Sequence, residues 1–209
     1  MHTASPTKLL APLLAISLLS GCASISKEEC MVADWYAMGL TDGSRGKALS
    51  EFRDYQADCA RHQLSSDFGQ YQAGHKKGVV QYCVYPNGVT LGRSGNSFNP
   101  LCEDAGFADF QQGYFLGQQL NQAEDRLANL KRDQQQVEDK QQSLEKELAD
   151  NKDRIVDDTS SKAEREELLR DNDRLRRELR RLAAELRSLQ YQAQSTQDEI
   201  DSRLAELQL

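Results

Sequence analysis

Five cysteines and three histidines are the residues of this chain best suited to chemistry. Cys59, His62, His75 and Cys83 offer two thiolates and two imidazoles, a donor set that tetrahedral zinc uses. Their spacing departs from the paired C-x2-C and H-x3-H forms, which argues against a metal site. Cys30, Cys59, Cys83 and Cys102 instead make an even set suited to two disulfides in an oxidising compartment. Three pairings are open. Cys30 with Cys59 and Cys83 with Cys102 is favoured, because each pair brackets one connected excursion of chain. The expectation is two disulfides, exposed histidines and no metal. A Cys–His nucleophile would need a free thiolate beside an imidazole, and this pairing leaves none in the set. Asp34, Asp42, Asp54, Asp58 and Asp67 supply carboxylates, but no spacing singles out a general acid and its base. The glycines between Cys83 and Cys102 neither open a helix as GxGxxG nor precede Lys-Ser or Lys-Thr, so no phosphate cradle is indicated. No catalytic residue, cofactor or enzymatic activity is expected.

The fifth cysteine has a different setting. Residues 1–8 are short and carry one Lys, residues 9–19 are apolar, and Leu19-Ser20-Gly21-Cys22 follows. This is the three-part layout of a secretory signal, placed here at 1–21. An apolar run of that length reaches only about 16 Å as a helix, against a hydrocarbon core of about 30 Å. The quartet resembles the lipobox of bacterial lipoproteins. That resemblance implies that Cys22 becomes the first mature residue, with a diacylglyceryl thioether and an acylated amine carrying chains such as palmitate. Several chains make a stable anchor where one gives marginal binding. Ala23 follows Cys22 where a retained lipoprotein would have Asp, which implies transfer to the outer membrane, facing the periplasm. Residues 22–29 read as a lipidated linker.

The elements that must position the remaining cysteines occupy residues 30–117. A repeat of aromatic, two residues, Gly, three residues, Gly runs through Tyr36, Gly39 and Gly43, then Tyr71, Gly74 and Gly78, then Phe110, Gly113 and Gly117. Ala33, Phe68 and Phe107 stand three residues upstream of each aromatic and extend a helical face. Glycines four apart strip one face of a helix so that another backbone can approach, as in membrane helices. Three short, closely packed helices are expected, although Asp42, Gly43 and Gly46 read more as a turn than as continued helix. Pro86-Asn87-Gly88 reads as a turn joining two very short strands, followed by a glycine-rich loop.

This head resembles a family of short bacterial lipoproteins known as a domain of unknown function, number twenty-seven ninety-nine. The residues that carry the likeness are Trp35, Gly39, Asp42, Gly43 and Gly46; Tyr71, Gly74, Gly78, Tyr82 and Cys83; and Cys102, Phe110, Tyr114 and Gly117. No activity comes with the resemblance, which implies fold and location only.

Residues 118–209 read as coiled coil. With Leu120 at position a, one seam runs through Ala123, Leu127, Leu130, Gln134, Val137, Gln141, Leu144, Leu148 and Asn151 to Ile155. A second runs from Leu168 and Asn172 through Leu175, Leu179, Leu182, Leu186, Leu189, Ala193 and Thr196 to Ile200, out of register with the first. The break falls near 156–161, where turn-forming residues precede a Ser161–Glu164 capping box. Leu144, Val137, Leu130 and Leu120 pair with Leu175, Leu182, Leu189 and Ile200 at a nearly constant sum of residue numbers, as a chain folding back requires. A long antiparallel hairpin is expected, with an oligomeric rod as the alternative. Arg170, Arg174, Arg177 and Arg181 share one outer face. They are either a solvated face neutralised by nearby acids or a stripe for an anionic partner.

Composition agrees with this division. The chain has 209 residues, a net charge of −7 and acids and bases interspersed, so it carries no nucleic-acid footprint and no single large core is expected. The fold class expected is all-α, a disulfide-stapled head followed by a coiled-coil hairpin. The function expected is structural: an outer-membrane lipoprotein whose helices serve as an adaptor for a protein partner in the envelope. Binding of peptidoglycan or lipopolysaccharide through the arginines is the alternative reading, and an envelope enzyme the third.

Overall fold

The computed structural model describes residues 24–207; the stretch read as a signal and Cys22 lie outside them. Within that span every regular element is helical: α1 Lys27–Val32, α2 Trp35–Ser44, α3 Phe52–Arg61, α4 Phe68–Tyr82, α5 Tyr85–Arg93, α6 Ala108–Val156 and α7 Lys162–Glu206, with short 3-10 turns at Leu49–Glu51, Pro100–Cys102 and Ala105–Phe107. None of these helices is long and apolar enough to cross a membrane.

Caps written in the sequence set several boundaries. The side chains of Ser26, Asp34, Asp67 and Ser161 accept the backbone N–H groups of Glu29, Ala37, Gln70 and Glu164. Each satisfies an N–H that the first helical turn leaves free. Helix α2 does not break at Asp42-Gly43, as the sequence suggested. It runs through Gly43 to Ser44 and ends where Gly46 adopts a left-handed φ of 71°. The expected turn and strands around Pro86-Asn87-Gly88 are likewise helix α5. Pro86 sits in the first turn, where a missing N–H costs nothing, and Asn87 Nδ2 donates to the carbonyl of Tyr82 at 2.9 Å.

That correction exposes a fourth copy of the repeat, Tyr85, Gly88 and Gly92. The four copies pack as two pairs. A Cβ on Gly39 would overlap the carbonyl oxygen of Tyr71, and one on Gly74 would overlap that of Tyr36; Gly43 and Gly78 stand in the same relation to His75 and Leu40. The second pair repeats this reciprocity, Gly88 with Phe110 and Gly113 with Tyr85, Gly92 with Tyr114 and Gly117 with Val89. Early glycines meet early partners and late meet late, so α2 lies parallel to α4 and α5 parallel to α6. A parallel pair needs a return connection, which residues 45–67 and 94–107 supply.

Each pair has its own apolar core. Around the first, Trp35, Phe52, Tyr55 and Tyr71 cluster with Ile25, Cys30 and Cys59. Around the second, Val79 and Phe110 cluster with Cys83 and Cys102. Disulfides close Cys30–Cys59 and Cys83–Cys102, the first fixing α1 to α3 and the second tying the end of α4 to the return loop of the second pair. Asn99 also donates to the carbonyl of Gly46 at 2.9 Å, joining the two return connections.

Helix α6 leaves the head without interruption and α7 folds back along it. Buried positions on the two arms are seam positions, including Leu120, Ala123, Leu127 and Val137 on one and Leu175, Leu182, Ala193 and Ile200 on the other. Ion pairs Lys140–Glu178 at 2.8 Å and Arg154–Glu164 at 2.7 Å bridge the arms with the mirrored numbering of an antiparallel hairpin. The turn spans residues 157–161, where Asp157 Oδ1 accepts from the N–H and hydroxyl of Thr159. Leu204 and Leu116 join one cluster, so the tail of α7 returns to the edge of the head.

Candidate functional site

Asp42 is the more deeply buried of the head's two buried carboxylates among the described residues, only 4% exposed, one turn after Gly39 on α2. Its Oδ2 accepts from the hydroxyls of Tyr55 on α3 and Tyr71 on α4 at 2.9 and 2.8 Å, while Oδ1 pairs with Lys47 Nζ at 3.0 Å. Burial pushes the Asp42 carboxyl up, but the Tyr71, Lys47 and Tyr55 donors outweigh it and hold it below the usual carboxylate range. Burial and then the bond to Asp42 push Tyr71 and Tyr55 up, and the same carboxylate raises Lys47. The cluster therefore stays as one carboxylate, two neutral phenols and an ammonium near neutral pH. It binds α2, α3, α4 and the Lys47 loop to one point.

The two helix pairs provide an internal comparison. The position three after the first glycine is Asp42 in the first pair and Leu91 in the second, and Tyr71 corresponds to Phe110. Leu91 packs against the cluster containing Phe110, so the same backbone arrangement forms without the polar group. The Asp42 cluster is thus an addition to the scaffold and not a requirement of the parallel pair. The turn-like signature of Pro86-Asn87-Gly88 conceals the copy that carries this comparison.

Above the cluster opens a groove of about 470 Å³ lined by Ser24, Ile25, Val32 and Met38 among others, with Arg45 and Lys47 as its cations. The chain entering it is fastened. Ser24 donates from both its N–H and its hydroxyl to Asp58 Oδ2, at 2.6 and 2.8 Å, and Asp58 also pairs with Arg61 at 2.9 Å. Ile25 is buried in the first core and Ser26 begins α1 with a reciprocal capping box. The stretch read as a linker over 22–29 is therefore, from Ser24 onward, part of the folded head.

The remaining sequence candidates distribute as follows. Cys59 and Cys83 lie in different disulfides, and among the described residues no cluster of His, Cys, Asp and Glu is arranged to hold a metal ion. His62 is exposed, but His75, also expected at the surface, is buried and its Nε2 lies 2.7 Å from the Lys47 carbonyl. The cause is its place one turn after Tyr71, on the face that meets Gly43. Asp34 and Asp67 cap helices and Asp54 is exposed. Gly39, Gly43, Gly74, Gly78, Gly113 and Gly117 all lie at backbone contacts, joined by Gly88 and Gly92. Arg170, Arg174, Arg177 and Arg181 are exposed on α7, with Arg174 paired to Asp171 at 2.5 Å and Arg181 to Glu178 at 2.7 Å. Cys22 lies outside the described residues.

No curated protein and no solved structure matches the chain. The family described as "Protein of unknown function (DUF2799)" matches residues 34–119. That span starts at the cap of α2 and stops just past Gly117, so it holds both glycine-stripped pairs and leaves out the hairpin. The part of this chain that the family's model matches is thus the head, its two parallel helix pairs and the disulfide between Cys83 and Cys102.

Proposed function

We propose that this is a lipid-anchored protein of the outer membrane, facing the periplasm, whose helical hairpin presents a surface to a protein partner as an adaptor or organiser of the envelope. The observation that carries this reading is the continuity of α6, which is at once the last helix of the head and the first arm of the hairpin. No hinge separates them, so an anchored head would hold the hairpin as a lever reaching roughly 60 Å from Gly117 to Val156. The signal layout, the lipobox pattern and two disulfides suited to an oxidising compartment support the location. Leu169 and Tyr191, both exposed and off the seam, give the outer face of α7 apolar points of contact.

Binding of peptidoglycan or lipopolysaccharide is the weaker reading, because acids already partner Arg174 and Arg181. Photo-crosslinking amino acids at Leu169 and Tyr191 in living cells test the adaptor role. A discrete protein adduct is expected, and adducts to polymer alone, or none from either position, would refute it.

A further inference from the structure

We infer that the head sits directly on the lipid surface, with the groove between α1 and α2 facing the headgroup layer and no stalk between anchor and fold. The inference rests on the proposed acylation of Cys22. One residue, Ala23, separates Cys22 from Ser24, so their Cα atoms are no more than about 7 Å apart even in a fully extended chain. Ser24 itself is not free to move away. Its N–H and hydroxyl are both held by Asp58, Ile25 is buried, Ser26 caps α1, and Cys30 fastens α1 to Cys59. Acyl chains that begin at Cys22 must therefore enter the membrane within roughly 10 Å of the groove that Ser24 lines.

The surface around that point has the chemistry of an interfacial contact. Met31 and Val32 on α1 are 64% and 81% exposed, large apolar side chains placed on the element nearest the anchor. Val32 lines the groove together with Arg45, whose guanidinium suits lipid phosphates, and with Lys47, whose ammonium is already held by Asp42 at 3.0 Å. Acidic groups are also present on this side. Glu29 accepts from the backbone N–H of Ser26 and Asp34 from that of Ala37, so both carboxylates have local partners, while Glu28 is exposed on α1 beside Lys27. The attraction to lipid is thus chiefly the anchor's and the apolar pair's, with Arg45 orienting the face.

The consequence is mechanical. An anchor joined to a folded head without a flexible stalk, and a head joined to a hairpin through one continuous helix, give the hairpin a fixed attitude to the membrane. The test uses the mature lipidated chain in vesicles of phosphatidylethanolamine and phosphatidylglycerol containing a shallow nitroxide-labelled lipid. A fluorophore is attached through Val32→Cys, or through Met31→Cys as a second position, and through Val156→Cys at the far end of the hairpin. Quenching at residues 31 and 32 several times that at 156 is expected. Vesicle-bound protein with equal, weak quenching at all three positions would overturn the inference while leaving acylation standing. Protein that lacks the acyl mass and fails to float with vesicles would overturn both.

Discussion

Two alanine substitutions in the same helix should change stability in opposite directions. Both replace Gly by Ala in α4 and both gain intrinsic helix propensity, about 1 kcal/mol in a helix interior and less near an end. At Gly69 the added Cβ would meet only Asp67 Oδ1 at 3.4 Å, so Gly69→Ala should stabilise by some tenths of a kcal/mol. At Gly74 it would overlap the Tyr36 carbonyl oxygen and lie 2.8 Å from the Leu40 amide nitrogen, both backbone atoms of α2. Neither can rotate away, so α2 and α4 must separate along their contact. Overpacking costs about 1–3 kcal/mol, and because the overlap is with rigid backbone the upper end applies, so after the propensity gain of about 1 kcal/mol the net loss should be about 2 kcal/mol. Trp35, the single tryptophan, is buried in that core with its ring 5.6 Å from Phe52, so its emission reports this pair. Urea unfolding followed at Trp35 should show the midpoint of Gly74→Ala falling by roughly 1 M and that of Gly69→Ala holding or rising. Equal midpoints would mean that the helices do not touch through bare backbone.

The Asp42 cluster predicts a change of sign. Tyr71→Phe should cost about 1 kcal/mol in the natural chain, yet be neutral or stabilising once Asp42→Leu has left the Tyr71 hydroxyl buried without its acceptor, which a double-mutant cycle will show. Because the folded-state pKa of Asp42 is depressed, its contribution is present above the unfolded carboxylate value near 4 and is lost as pH falls through the lower folded value. Urea midpoints measured downward from pH 5 should therefore fall less steeply for Asp42→Asn than for the natural chain. Replacing both Cys83 and Cys102 by Ser should cost about 3 kcal/mol by the chain-entropy estimate, readable from thermal unfolding of the oxidised proteins. Asn172 is buried with its Oδ1 unpartnered, so Asn172→Leu should raise the melting temperature while sedimentation shows species larger than the monomer.

The hairpin was legible because its signals are local and repeated. Seam leucines at helical spacing, Ser161 with Glu164 and the mirrored numbering all point to one arrangement, and the arms pack that way. The head was legible only in part. Its glycine repeat marked three helices, but Pro86-Asn87-Gly88 carries the local signature of a turn and concealed the fourth. Tertiary contact decides that case, since Gly88 and Gly92 are tolerated in a helix by their approach to Phe110 and Tyr114. The Asp42 cluster was not legible at all, because Tyr55, Tyr71 and Lys47 converge from three separate elements. Ser24 and Ile25 looked like linker for a similar reason: nothing near them in sequence announces Asp58 as their partner.

Everything proposed for the hairpin depends on the chain folding back on itself and not extending as an oligomeric rod. Leu144 and Leu175 line the same groove between the two arms. With Leu144→Cys and Leu175→Cys introduced into one chain and the native disulfides intact, oxidation should give a cross-link within the chain at the mass of a monomer. Cross-links formed only between chains, at the mass of a dimer or higher, would contradict it.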